Sequence, residues 1–520
     1  MLSWTTFLLS AAVLSTAFLV RRFHSHSPGS KPPGPRGWPI IGNIRDIPRQ
    51  KSWLAYTEWA KIYGDIVYVE LLGTPTVVLN NVDDIHELLD RRSAHTASRP
   101  PLIVANELMG WDWDFAHMPH NDYWRYGTLY FRKTHAQILR IERKHRKIFH
   151  QYFQQKNIPA HFPAIRKATL TFLDQVHQSS DDYRNHTRQF AGGILLKLTY
   201  DHNVVAVNDH YVALAERALD ALVQVIHVGS TLVEAFPFLK HMPAWFPGAG
   251  FKRTTQACAQ WAKELRDMPF QQAKRDSFSG SLQPCFVSDA LAREGADEDI
   301  IANAAALAYL AGSDTTASII LSFILAMLHY PEVQARARRE VDLVTSDGTR
   351  LPDFEDRSSL PYIDAIIAEL LRWAIPTPLA FPHVSEKDDV YKGYYFPSGT
   401  TFIPNVYGIF HDEKRFSEPG KFRPERFLEE NSDFDPMTMG AFGYGRRICP
   451  GRHVALNASW LVIVQMLTVF IISPKLDEKG RAKLDPPNFD SGLVVQPIPF
   501  EVKITPRSHK ALDLLRKAVE

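Results

Sequence analysis

The sequence predicts a mainly α-helical body with small β-sheets near both ends, and three observations carry that expectation. Apolar residues recur at helical spacing over about residues 136–155, 297–329, 331–344 and 360–373. Short β-rich runs at 66–72, 76–79 and 390–403 are punctuated by Gly and Pro. No fixed-period repeat, low-complexity tract or break in composition divides the chain. With 45% apolar and 22% charged residues among 520, the composition is that of an ordered globular protein. Fifty-nine basic against 57 acidic residues leave a formal charge of +2, too little for a protein that neutralises many phosphates, so nucleic acid is excluded as a partner. Three scattered cysteines, Cys258, Cys285 and Cys449, form neither a disulfide framework nor a CxxC zinc site and suit a reducing, cytosol-facing environment.

In chain order, the first element is an uncharged run from Leu2 to Val20. As a helix it would reach about 28 Å, enough to span a bilayer. Arg21 and Arg22 follow it and no Lys or Arg precedes it, which by the positive-inside rule puts the rest of the chain in the cytosol. A cleaved signal peptide is the alternative; the missing basic n-region and small-x-small cleavage site count against it. Residues 31–42 hold four prolines and three glycines, which forbid a continuing helix and read as a stiff hinge. The expected organisation is an anchor at 1–20, a basic and Pro/Gly-rich hinge at 21–45 and a body at 46–520. Ile66–Leu72 and Thr76–Leu79, split by Gly73-Thr-Pro, read as a hairpin. The apolar run from Val454 to Ile472 reads as one more helix.

Several common motifs fail. His86-Glu87 begins like a zinc-protease helix, but position 90 is Asp, so the second imidazole is missing. His117 and His120 are three apart and could share a metal; without partner ligands, chance spacing on a surface loop is the better reading. The chain has no Walker lysine loop, no GxGxxG after a strand and no GxSxG elbow.

The informative stretch is Phe442-Gly-Tyr-Gly-Arg-Arg-Ile-Cys449-Pro-Gly451. Glycines at 443, 445 and 451 allow sharp turns and close approach to a flat ligand, and the helix that follows offers its N-terminal N–H groups to a thiolate. A lone buried cysteine is usually inert packing. Framed by Phe442, Gly445, Arg447 and Gly451, this one matches FxxGxRxCxG in full and resembles the haem-binding loop of the cytochrome P-450 family.

Three further segments are similar to that family's motifs in the same order. Ala311-Gly-Ser-Asp314-Thr315-Thr316, inside the apolar helix at 297–329, looks like the oxygen-activating segment, whose acid and hydroxyl relay protons. By itself it could equally be a helix kink with Ser and Thr bonded back to carbonyls. Glu369-Leu-Leu-Arg372 would alone be a solvated i,i+3 pair. With Phe422-Arg-Pro-Glu-Arg426-Phe427 it resembles the Glu-Arg-Arg cluster of the family, which makes Glu369, Arg372 and Arg426 structural. Pro382 to Gly393 is similar to fungal secondary-metabolism members such as O-methylsterigmatocystin oxidoreductase.

The resemblance covers Pro32 to about Pro499 and implies the cytochrome P-450 fold behind one N-terminal transmembrane helix. The implied activity is a haem-thiolate monooxygenase that inserts one oxygen atom into an apolar small molecule, a terpenoid, steroid or polyaromatic metabolite. It implies haem b with Cys449 as the iron ligand; a loop of Phe442, Gly443 and Gly451; Asp314 and Thr315 as catalytic groups; and Arg447, Trp124 and His383 as propionate partners. Electrons would come from NADPH through a separate cytochrome P-450 reductase, with or without cytochrome b5, since the chain has no nucleotide fingerprint of its own. The implied location is the endoplasmic reticulum membrane, single-pass, facing the cytosol. One departure stands out: an arginine usual four residues after Trp124 is Thr128 here, with Arg132 the candidate replacement. Leu102–Met118, with Trp111, Trp113 and Phe115, is expected either to line the substrate pocket or to be core. Two rivals remain open: an oxygen-independent isomerase or dehydratase, and a non-catalytic haem sensor or carrier.

Overall fold

The computed structural model describes residues 29–39, 41–119, 135–205, 209–223, 225–226, 232–243, 251–346, 348–428, 435–482 and 484–520. The anchor expected at 2–20 lies outside them. Helices of ten residues or more among the described residues are α1 (Ser52–Tyr63), α2 (His135–Phe153), α3 (Phe162–Gln178), α4 (Tyr183–Tyr200), α5 (His210–Val223), α6 (Phe251–Ser279), α7 (Glu298–His329), α8 (Pro331–Val344), α9 (Pro361–Trp373), α10 (Arg452–Val469) and α11 (His509–Val519). The strands are β1 (Ile66–Leu71), β2 (Thr74–Leu79), β3 (His383–Val384), β4 (Asp389–Tyr391), β5 (Tyr394–Phe396), β6 (Thr401–Pro404), β7 (Phe470–Ser473) and β8 (Lys503–Pro506).

The helix ends follow their local chemistry. Asp297 caps α7 by accepting from Ile300 N at 3.3 Å. Pro331 and Pro361 open α8 and α9, where a missing N–H costs nothing. The hairpin β1–β2 pairs antiparallel with Val67 opposite Val78, as its sequence pattern predicts. The segment 454–472 differs from expectation: the helix ends at Val469, and Phe470-Ile-Ile-Ser473 turns to strand and pairs with β8. Aromatic and β-branched residues ahead of Pro474 favour that exit once a partner strand is present.

The largest sheet has the order β1-β2-β6-β3, with β2 and β6 parallel across most of the chain. Within the expected hinge, Pro33 and Asn43 are pinned to β1: Tyr68 N donates to Pro33 O at 2.9 Å, and Asn43 N to Glu70 O at 2.7 Å. The core is organised around α7. It packs against α2, α4, α6 and α10, and is apolar on all sides except at its capped first turn and its centre. By length and composition α7 could cross a membrane, but its burial among other helices makes it the core helix. Its longest break in burial past the first turn is Ala311–Thr315, where the helix faces a cavity instead of a neighbour.

Candidate active site

Two elements face each other across that cavity of about 540 Å³, the size of an ordinary small-molecule site. One is the loop from Phe442 to Gly451, which leads into α10; the other is the centre of α7. Gly443 and Gly445 have φ of 78° and 53°, conformations that a side chain rarely adopts, so the sequence reading of these two as turn glycines holds. Gly451 is different. Its φ is −91°, and no atom from beyond its chain neighbours lies within 4 Å of where a Cβ would sit, so its glycine is not required by the backbone. It lines the cavity beside Cys449, and a side chain there would take ligand space.

Cys449 N donates to Phe442 O at 2.7 Å, closing the loop on itself. Arg146 from α2 donates to Ile448 O at 2.8 Å, and Arg452 to Cys449 O at 2.9 Å. Burial pushes the Cys449 thiol up, against the N–H groups of Gly451 and Arg452 and the charges of Arg146 and Arg452. A single sulfur framed by backbone N–H groups and guanidinium charges is a donor suited to a metal-bound thiolate.

Opposite, Thr315 Oγ1 donates back to Ala311 O at 3.0 Å, and Ser313 Oγ to Leu310 O at 3.1 Å. Gly312 has a packing reason: a Cβ there would lie 2.5 Å from Leu195 Cδ1 of α4. Asp314 also lines the cavity, and burial raises its carboxyl to about 6; Arg188 opposes the shift, while Glu216, Asp220 and Asp490 add to it. Helix back-bonding and a raised acid therefore coexist at this segment.

The third wall carries positive charge. Arg447 donates from Nε to Ala97 O at 2.8 Å, from Nη1 to Phe115 O at 3.0 Å and from Nη2 to Met118 O at 2.8 Å. His383 is buried, with Nδ1 bonded to Thr96 O at 2.8 Å. Beside them sits Arg99, which sequence reasoning missed: Nε donates to Ala116 O at 3.1 Å, and Nη1 to Phe381 O and Pro382 O at 2.9 Å. Burial lowers Arg99 well below its usual range, helped by the charges of Arg447 and Arg146. It pushes Arg447 down to about 10. The nearby carboxylates are Glu142, at 3.4 Å from Arg447, Glu386, and Asp114, which is paired to His117 Nδ1 at 2.6 Å. His117 is thus no surface-loop residue; it lines the cavity, and its buried Nε2 has no hydrogen-bond partner. A wall lined by Arg99, Arg146 and Arg447, with an orphaned imidazole nitrogen, suits a ligand that carries carboxylates. The residues present fit the haem implied by the loop motif, since Cys449 would supply a sulfur donor and the arginine wall would receive its propionates. Among the described residues no group of three His, Cys, Asp or Glu is placed to hold a bare metal ion.

Other expectations resolve as follows. Trp124, Thr128, Arg132 and His120 lie outside the described residues. Glu369, Arg372 and Arg426 meet behind the cavity and are not a solvated pair: Arg372 is fully buried and grips both Glu369 oxygens at 2.7 and 2.8 Å, and Arg426 Nε reaches Glu369 at 3.2 Å. Of Leu102–Met118, the residues from Asp114 to His117 line the cavity, whereas Trp111 and Trp113 are core side chains whose rings lie 5.2 Å apart. Arg99 gave little signal beforehand, since an arginine before Pro100-Pro101 in an extended stretch has no local partner to betray it.

Comparison with known proteins bears on the whole chain. The family model described as Cytochrome P450 matches residues 32–504. A cytochrome P450 monooxygenase of Armillaria gallica is 35% identical over 513 residues, 97% of each chain. Cytochrome P450 monooxygenase 98 of Postia placenta is 38% identical, covering 92% of this chain and 91% of its own. Cytochrome P450 monooxygenase COX1 of Coprinopsis cinerea is 34% identical over 94% of this chain and 93% of its own.

Proposed function

Because this chain belongs to the cytochrome P450 family and is one of its monooxygenases, we propose that it binds haem b through Cys449 and oxygenates a mainly apolar metabolite held in the cavity above it. The observation that supports this reading is that Cys449, Asp314 and Thr315 line one and the same cavity. The bound haem would supply dioxygen activation, favoured by electron release from the thiolate.

The chain's own residues do the rest. Phe442, Gly443 and Gly451 shape the loop around the sulfur. Arg447, His383, Arg99 and His117 would hold the carboxylate edge of the group, and Trp124 joins them by resemblance. Thr315, whose hydroxyl hydrogen is occupied by Ala311 O, lines the cavity with its oxygen left to act as an acceptor. Asp314, with a carboxyl near 6, is poised to take a proton from water and pass it inward at neutral pH. Glu369, Arg372 and Arg426 lock the proximal side. The cavity end near Arg188, Glu216 and Asp220 favours a substrate whose apolar skeleton, of terpenoid, steroid or polyaromatic type, ends in a hydrogen-bonding group. Electrons come from NADPH through a separate reductase, and residues 2–20 hold the enzyme on the cytosolic face of the endoplasmic reticulum.

Reconstitution with a P450 reductase, NADPH and labelled dioxygen tests the reading across a panel of such metabolites. The expected result is substrate-stimulated NADPH oxidation with one labelled oxygen atom in the product. Conversion without NADPH would favour an isomerase or dehydratase, and binding without any turnover a haem carrier.

A further inference from the structure

We infer that Asp90, oriented by His86, is a positioning residue that holds the Cys449 loop in its ligating shape. The two residues come from the rejected zinc-like motif. They sit in a π-helical segment, His86–Arg91, a wide-turned form that is rare and concentrated at functional sites. Asp90 Oδ2 bonds His86 Nδ1, and Asp90 Oδ1 accepts from Gly445 N. The His86 ring packs edge-on to Tyr444, with centroids 6.2 Å apart.

The geometry explains why an acceptor is needed at that point. Gly445 opens the single 3-10 turn Gly445–Arg447, and its N–H faces away from that turn, so only an outside group can take it. The fit is backbone against backbone: a Cβ at 445 would run into Leu89 O, and would lie 2.9 Å from Ser93 Cβ. Beyond this turn the chain runs directly through Arg447 to Cys449. Arg447 is itself tied to the same region, through Nε to Ala97 O at 2.8 Å, and His383 is held by Thr96 O. Residues 86–97 therefore clip three groups of the site at once, and Asp90 is the member that reaches the sulfur-bearing loop with a charge-assisted bond. Its neighbours Arg91 and Arg92 turn instead to Glu87, and Arg92 also to Asp389, leaving the Asp90 carboxylate to the loop and His86.

The inference rests on Cys449 being the axial ligand, and the experiment keeps the two apart. Holoenzyme variants Asp90→Ala, Asp90→Asn and Glu87→Ala are compared with wild type for haem transfer to an acceptor protein and for the carbon monoxide spectrum of the reduced form. A wild type lacking the thiolate band would sink the ligand assignment and this inference with it; the remaining outcomes presuppose that band. Asp90→Ala is expected to lose haem about tenfold faster, the scale on which outer partners of a ligand act, and to convert part of the thiolate band to a shorter-wavelength form. Asp90→Asn retains an acceptor for Gly445 N and stays within about twofold of wild type. Glu87→Ala behaves as wild type. If Asp90→Ala yields no holoprotein, Asp90→Ser, whose hydroxyl is too short to reach, takes its place, with about threefold faster loss expected. Wild-type behaviour of that variant, an Asn variant as impaired as Ala, or equal loss in Glu87→Ala would each overturn the role of Asp90.

Discussion

The two walls of the cavity are built in opposite ways. On the Cys449 side, the loop is tied to distant parts of the chain: Gly445 to Asp90, Arg447 to Ala97, Phe115 and Met118, Ile448 to Arg146. On the α7 side, Thr315 and Ser313 bond only to carbonyls of their own helix, and Asp314 is governed by burial and then by charges on other elements. Holding a ligand calls for a network in which each bond is backed by another element. Moving a proton calls for groups whose bonds are local and exchangeable. Substitutions on the two sides should accordingly fail in different ways.

The largest effect is expected behind the fixed wall. Glu369→Ala leaves Arg372 and Arg426 buried without their carboxylate, and should cost about 3–5 kcal/mol in denaturant unfolding. A loss under 1 kcal/mol would mean that their carbonyl contacts, to Phe410, Lys421 and Ser417, suffice. Next, Arg99→Ala should speed haem transfer to an acceptor by about tenfold, while the exposed Arg481→Ala leaves it unchanged. Equal rates would remove Arg99 from the cradle.

On the proton-moving wall the effects on stability shrink. The Asp314 carboxyl is raised from its usual 3.8 to about 6, so the folded state binds this proton more tightly than the unfolded chain. By linkage the residue weakens the fold progressively as pH rises from about 4 to 6, and by its full amount above that. Asp314→Asn should therefore be stabilised relative to wild type by about 1–2 kcal/mol at pH 7.5, with the gap narrowing toward pH 5. Thermal melts at the two pH values read this directly, and a gap that widens toward acid would contradict the shift. Smallest of all in stability is Thr315→Ala, which removes only a helix back-bond and should cost under about 0.5 kcal/mol. Its expected mark is a lower ratio of product formed to NADPH consumed, with the balance appearing as peroxide. An unaltered ratio would place the relay elsewhere.

What the sequence revealed beforehand follows the reach of each interaction. The loop from Phe442 to Gly451 was readable because its turn glycines, sulfur and following helix are contiguous. The β1–β2 hairpin and the starts of α8 and α9 were readable for the same reason. His117 was misjudged because the groups that bury it, Phe381 among them, come from far along the chain. Arg99 was invisible because its partners at Ala116, Phe381 and Pro382 are carbonyls, which any residue supplies. Asp90 was dismissed as the residue that spoils a zinc motif, and only the packing of residues 86–91 against Gly445 gives it a purpose. The end of α10 was overrun because Phe470–Ile472 continues the apolar pattern, and the strand that claims it lies thirty residues on.

The measurement closest to the central claim is the carbon monoxide spectrum of the reduced protein, taken for wild type and for Cys449→His. The account predicts the thiolate-specific band in the wild type and its loss, together with oxygenase activity, in the variant. A variant that keeps both the band and turnover would show that the sulfur at 449 is not the iron's ligand.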